Sequence, residues 1–207
     1  MSIKILKEVV ENIFIAPLCK NSENGTINVV KPSIINNGLI DEEKFDKCEY
    51  DEKFEKSFLK KGDILFQAKG NKFEATLINK DYENLISNQI YFNIRVSQQI
   101  LPEYLVWYLN SEEAKLYYEK NTSGATVKSI NKKVLEHLKI EIPSLEKQKE
   151  LVSLISGFLI EKEKTLKYLE KKEKLINEAI KKVMLPTMFF RIFQRVKENF
   201  YPKFLAM

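Results

Sequence analysis

Gln67, Lys69, Asn71 and Lys72 crowd one turn of the chain, and their side chains share a chemistry. The amides of Gln and Asn can pair bidentately with adenine, and lysine reaches guanine or a phosphate. A second set follows at Ser123, Gly124, Thr126, Lys128, Lys132 and Lys133. A glycine among hydroxyls, backbone amides and lysines suits phosphate oxygens. Both sets are also what an ordinary solvated hairpin and a capped, lysine-bearing helix contain, so residue types alone leave either use open.

Other chemistries lack their parts. His137 is the single histidine and has neither a nucleophile nor a metal set beside it, so a structural or surface role is expected. Cys19 and Cys48 stand far apart, without the four Cys or His ligands of a structural zinc site, and read as reduced cysteines of a cytoplasmic protein. No P-loop, glycine-rich cofactor loop or Asn/Asp-Pro-Pro methyltransferase motif is present, so no cofactor and no catalytic residue are expected. Met1 to Val10 alternates lysine with apolar residues and lacks a cleavage pattern, and no apolar run reaches membrane-spanning length.

The elements that must carry these residues divide the 207-residue chain unevenly. With 44% hydrophobic and 30% charged residues it suits one folded core plus an appendage. Its net charge of +5 is lopsided: residues 1–60 balance to −2 and the rest to +7, which favours a polyanionic partner. Strands are expected at Ile27 to Val30, Ile64 to Phe66, Phe73 to Ile78, Asn88 to Val96 and Lys139 to Ile142. Turns fall at Asn36-Asn37-Gly38, Lys60 to Asp63 and Lys69 to Lys72, and residues 41–56 read as a solvated loop or short helix. Helices are expected from Pro102, through Ala114 to Tyr118, and from a cap at Ser129 to Leu138, with Trp107, Tyr104 and Tyr108 in the core. The class is therefore α+β.

After Pro143-Ser144, residues 145–185 hold almost no helix breaker. Ser144 can cap this arm, and Glu146 suits the positive end of its dipole. Leu151, Ile155, Phe158, Leu166, Leu169, Ile176, Ile180 and Val183 form a coiled-coil seam interrupted by Lys162 and Glu173. Those two charges either loosen the seam or fix its register and partner. A single helix cannot bury such a face, so a second helix is needed. The expected division is 1–143 for the head, 144–185 for the arm, and 186–207 for an aromatic, basic tail that folds back or docks on a partner.

These segments, in this order, resemble the DNA specificity subunit of type I restriction–modification systems, and half of one. The series is INVVKPSIINNGLID, LKKGDILF, ISNQIYFNI, LPEYLVWYLNS, the Gly-Ala-Thr after Ser123, and INKKVLEHLKIEIPSLEKQKELV running into the arm. The chain departs from the family at Ile15-Ala16-Pro17-Leu18, in place of the usual glycine-containing opening, and in its tail. The resemblance implies a mixed α/β target recognition domain with a twisted sheet, followed by a long helix that forms an antiparallel coiled coil with a partner. It implies a non-catalytic subunit binding double-stranded DNA at a bipartite site, with the helix setting half-site spacing. The implied partners are the methyltransferase and restriction subunits, and either a second copy or a different half-subunit. A coiled-coil adaptor, or an antirestriction half that exchanges into another system, is the alternative.

Overall fold

Asp63 holds together the part of the chain where the strands meet. In the computed structural model, which describes residues 2–124 and 127–200, with side chains as far as Met184 and at Arg191, this carboxylate is buried. It accepts Nε and Nη2 of Arg95 at 2.8 and 2.6 Å and the backbone N–H of Lys60 at 2.9 Å. Arg95 also donates to the Phe58 carbonyl and lies over the Phe14 ring. The forked pair pushes the Arg95 guanidinium further above its ordinary pKa. Gly62, at φ +92°, makes the turn that presents Asp63, a backbone angle that other L-residues rarely adopt.

Eleven strands and four α-helices are described, joined by short 3-10 turns. The strands are β1 (Ser2–Ile5), β2 (Val10–Phe14), β3 (Ile27–Val30), β4 (Ile35–Asn36), β5 (Leu39–Ile40), β6 (Asp46–Cys48), β7 (Ile64–Gln67), β8 (Ala75–Leu77), β9 (Leu85–Ser87), β10 (Tyr91–Val96) and β11 (Lys139–Ile142). The helices are α1 (Pro102–Leu109), α2 (Glu112–Asn121), α3 (Lys132–Glu136) and α4 (Leu145–Phe200). None is long and apolar enough to cross a membrane among the described residues.

The central sheet runs β2-β10-β7-β8, all antiparallel, and is buried on both faces. Period-two alternation sorts its side chains. Ile64, Phe66, Phe92 and Ile94 enter the main core with α1, α2, Leu135 and Ile140, while Leu65 and Tyr91 enter a second cluster with Val30, Ile34 and Leu85. A three-stranded sheet, β6-β3-β9, carries a third cluster around Ile27, Cys48, Phe54 and Ile86. β1 closes on β11 as a separate antiparallel pair.

The structure bears out the α+β class with a long C-terminal helix, and it corrects several details. β1, β2, β4, β5, β6 and β9 fall where no strand was expected. β6 is only three residues long, set among charged residues, and it is paired by β3; β9 joins β3 in parallel. Asn131, not Ser129, caps α3, its side chain accepting from Val134 N–H, and the helix ends at Glu136. Trp107 is 45% exposed, whereas Tyr104 and Tyr108 are buried. α4 continues past Leu185 and Pro186 to Phe200. One proline removes a single helical donor, and Thr187 to Tyr201 contains no further glycine or proline to end the helix.

The chain divides into two units, Met1–Ile155 and Ser156–Met207, so the first turns of α4 belong to the head. Ser144 Oγ caps them by accepting Lys147 N–H at 3.3 Å. Leu151 and Val152 pack on the main core. Between the cap and these two lies Gln148, a polar residue with no exposed surface. Its Oε1 accepts the N–H of Leu101, the N-cap of α1, at 2.8 Å, and its Nε2 donates to the carbonyls of Pro143 and Gln99 at 3.0 and 3.2 Å. In the second unit, Phe158, Leu159, Leu166, Leu169, Ile176 and Ile180 are each at least 40% exposed.

Gln148→Ala leaves one buried N–H and two carbonyls without that partner. We expect a loss of about 2–3 kcal/mol and a fall in melting temperature of roughly 5–10 °C, measured by thermal and urea unfolding. Gln148→Leu should fare no better, since it keeps the volume and none of the bonds.

Candidate nucleic-acid interface

The two polar segments singled out in the sequence are 50 or more residues apart, and the fold lays them side by side. β7 ends at Gln67, and the chain then turns through Lys69 to Lys72 before β8. Gly70 N–H donates to the Lys128 carbonyl at 3.0 Å, and Ile130 N–H donates to the Ala68 carbonyl at 2.9 Å. Lys69 and Ser129 form an isolated antiparallel bridge between these two bonds. Ser129 is bridged in turn to Ser123, each donating its N–H to the other's carbonyl at 3.1 and 2.8 Å. Backbone alone therefore stitches the two loops into one surface.

Gly124 is required by that stitch. Its φ is +99°, and a Cβ there would lie 2.3 Å from the Val127 carbonyl oxygen. Gly70, at φ +119°, plays the same part on the first loop. The two loop backbones are thereby committed to each other.

The candidate residues then separate by what they touch. Lys69, Asn71, Lys72, Lys128 and Lys133 are exposed, and among the described residues their side chains have no hydrogen-bond or ion-pair partner. Gln67 is half-buried and donates its amide to the Lys69 carbonyl at 3.0 Å, so it braces the turn. Ser123 Oγ sits 3.3 Å from Ser129 Oγ and closes the second loop. Thr126 lies outside the described residues.

Lys132 is engaged elsewhere. Its ammonium donates to the Ile13 carbonyl at 2.6 Å and lies 3.8 Å from Glu136 Oε1. Ile13 belongs to β2, an outer strand of the central sheet, so Lys132 covers an otherwise open edge carbonyl. No feature of the sequence announces this contact, which spans more than a hundred positions.

Residues without an assigned part behave as structure. His137 caps α3, with Nδ1 2.7 Å from the Lys133 carbonyl. Cys19 and Cys48 share the third core cluster. Burial pushes the Cys48 thiol up to about 12, and the neighbouring Cys19 adds to the shift, so it stays protonated at neutral pH.

Comparison with known proteins places this geometry. The family described as type I restriction modification DNA specificity domain matches residues 4–178. No curated protein sequence matches the chain. Three solved structures share its fold. One is described by the structural basis of complex assembly and conformational transition of the type I R-M system (18% identity, TM-score 0.61, 88% of this chain and 43% of that one). The second is the type I restriction-modification S subunit from M. genitalium (14%, TM-score 0.53, 76% and 38%). The third is the HsdS subunit from Thermoanaerobacter tengcongensis (14%, TM-score 0.54, 86% and 46%). The chain spans less than half the length of each.

The division among the lysines is measurable. Lys132→Ala should destabilise the head by about 1 kcal/mol, because it uncovers a β-edge carbonyl. Lys69→Ala, Lys72→Ala and Lys128→Ala should each stay within about 0.5 kcal/mol of the parent in urea unfolding.

Proposed function

Because the chain belongs to the type I restriction modification DNA specificity domain family, we propose that it reads DNA for a type I system and performs no catalysis itself. The observation that carries this reading is the joined loop surface. Lys69, Lys72 and Lys128 stand on the two joined loops with Asn71, Lys133 follows on α3, and among the described residues these exposed side chains have no hydrogen-bond or ion-pair partner in the protein. Lysines on such a surface hold phosphates and set position, while an amide among them can discriminate a base edge. Val127, 59% exposed at the second loop, adds an apolar group able to meet a thymine methyl.

The arm supplies the other half of the role. Its exposed apolar line calls for a second helix, and a paired helix fixes the distance between two heads. Two heads on a rigid spacer read two half-sites at set separation, hence a bipartite site. The methyl transfer and cleavage come from the modification and restriction subunits of such a system, which this subunit would direct to the site.

Fluorescence anisotropy on duplex DNA over a salt series tests the reading. Lys69→Glu combined with Lys72→Glu should weaken binding at least about tenfold and flatten the plot of log K against log salt by about 2. Asn71→Ala should narrow discrimination between sequences by about 1–3 kcal/mol while leaving the salt slope unchanged. Should the charge reversal leave duplex affinity untouched while a methyltransferase complex still assembles, the head is no reader and the chain is an adaptor.

A further inference from the structure

A third turn reaches the joined loop surface. The strand expected from Asn88 begins at Tyr91, and residues 88–90 turn the chain between β9 and β10. The Ile90 carbonyl accepts the Ala68 N–H at 2.9 Å, while the Ala68 carbonyl accepts the Ile130 N–H. Ala68, itself buried, therefore bonds both to this turn and to the second loop. Lys69 and Gln89 flank the bond from Ala68 to Ile90, each one residue away from it.

The turn is held from within. Asn88 donates its N–H to the Val30 carbonyl at 3.0 Å, and its own carbonyl accepts the Tyr91 N–H at 3.3 Å. Its side-chain Oδ1 accepts the Ile90 N–H at 3.2 Å. Asn88 is thus spent on the turn, and the buried Ser87 and Tyr91 anchor its two ends. Gln89 at the tip is exposed, and among the described residues its amide has no hydrogen-bond partner. Residues 84–94 include no Lys, Arg, Asp or Glu, so this turn adds nothing to the hold on phosphates that Lys69, Lys72 and Lys128 supply. A primary amide both donates and accepts, the pattern that adenine offers in the major groove at N7 and N6. On a preformed turn it can do so with little ordering of the backbone to offset.

We infer that Gln89 is a second base-reading residue, its amide paired with an adenine edge at a position distinct from the one that Asn71 meets. This rests on the DNA-reading role proposed above and adds a residue to its site. Asn71 and Gln89 stand on different turns that the backbone bonds of Ala68 hold in fixed relation. Each therefore addresses its own base pair, while the lysines set the register for both. Asn88 is a positioning residue, acting through the turn that presents Gln89.

Selection from a randomised duplex library by the full chain reads every position at once. Gln89→Ala should lower the preference for adenine at one base pair by roughly ten- to a hundredfold. It should spare the position that Asn71→Ala blurs, and leave the salt dependence of binding unchanged. Its melting temperature should stay within about 2 °C of the parent. Gln89→Glu keeps the shape but only accepts, so preference at that same position should move from adenine to cytosine, whose N4 amino group donates. A solvated turn residue would produce neither change. Parent-like selection by both Gln89 variants, a loss spread evenly over all sequences, or an effect at the Asn71 position alone would each overturn the inference. The combined Lys69→Glu and Lys72→Glu variant separates the two claims. If it loses duplex binding while the Gln89 variants select as the parent does, the lysine surface meets DNA without Gln89. If the parent itself selects no sequence, the DNA-reading role falls and this inference falls with it.

Discussion

The buried Asp63 carboxylate is the constraint on which the head depends. Through Arg95 it binds β10 to the start of β7, and through Lys60 N–H it closes the turn before that strand. Gly62 N–H and the Asp63 carbonyl are meanwhile paired with Ile78, just past the end of β8. Three strands are thus registered by one side chain and its own turn. A carboxylate this deep is tolerated because every polar direction around it is answered, and removing either charge would strand the other. The opposite end of β7 opens into the polar turn that is bonded to the second loop.

Gln148 performs a related task without charge. A neutral amide can donate and accept at once, so it serves the unpaired N–H at the N-cap of α1 and two carbonyls with a single side chain. A carboxylate there could accept but not donate while ionised, and a leucine could do neither. This gives a physical reason for a glutamine just inside the start of the arm.

What the sequence discloses follows the range of the interactions. The turn at Asn36-Asn37-Gly38, the helix opening at Pro102, the cap at Ser144 and the strands at Ile64 and Tyr91 are local and were legible. β6 and β9 were not, because each is three residues long and exists only against β3. Trp107 lies in a run, YLVWYL, that is apolar on every side, so periodicity could not tell which residue faces outward. For the joined loop surface, residue types identified the two loops but not their union, which rests on backbone bonds that leave no mark in composition. The same blindness put Lys132 among the free lysines, when a carbonyl on a distant strand had already claimed it.

Those backbone bonds carry an evolutionary consequence. Gly70 to Lys128 and Ile130 to Ala68 are joined by peptide groups, which are the same whatever side chain is attached. Lys69, Asn71, Lys72 and Lys128 can therefore be exchanged for other residues while the frame that presents them stays intact, with glycines 70 and 124 as its fixed points. Such a surface separates what is read from what holds the reader, much as a printer's frame holds interchangeable type. Under the DNA-reading role proposed above, new recognition sequences would become accessible by single substitutions that the fold scarcely registers.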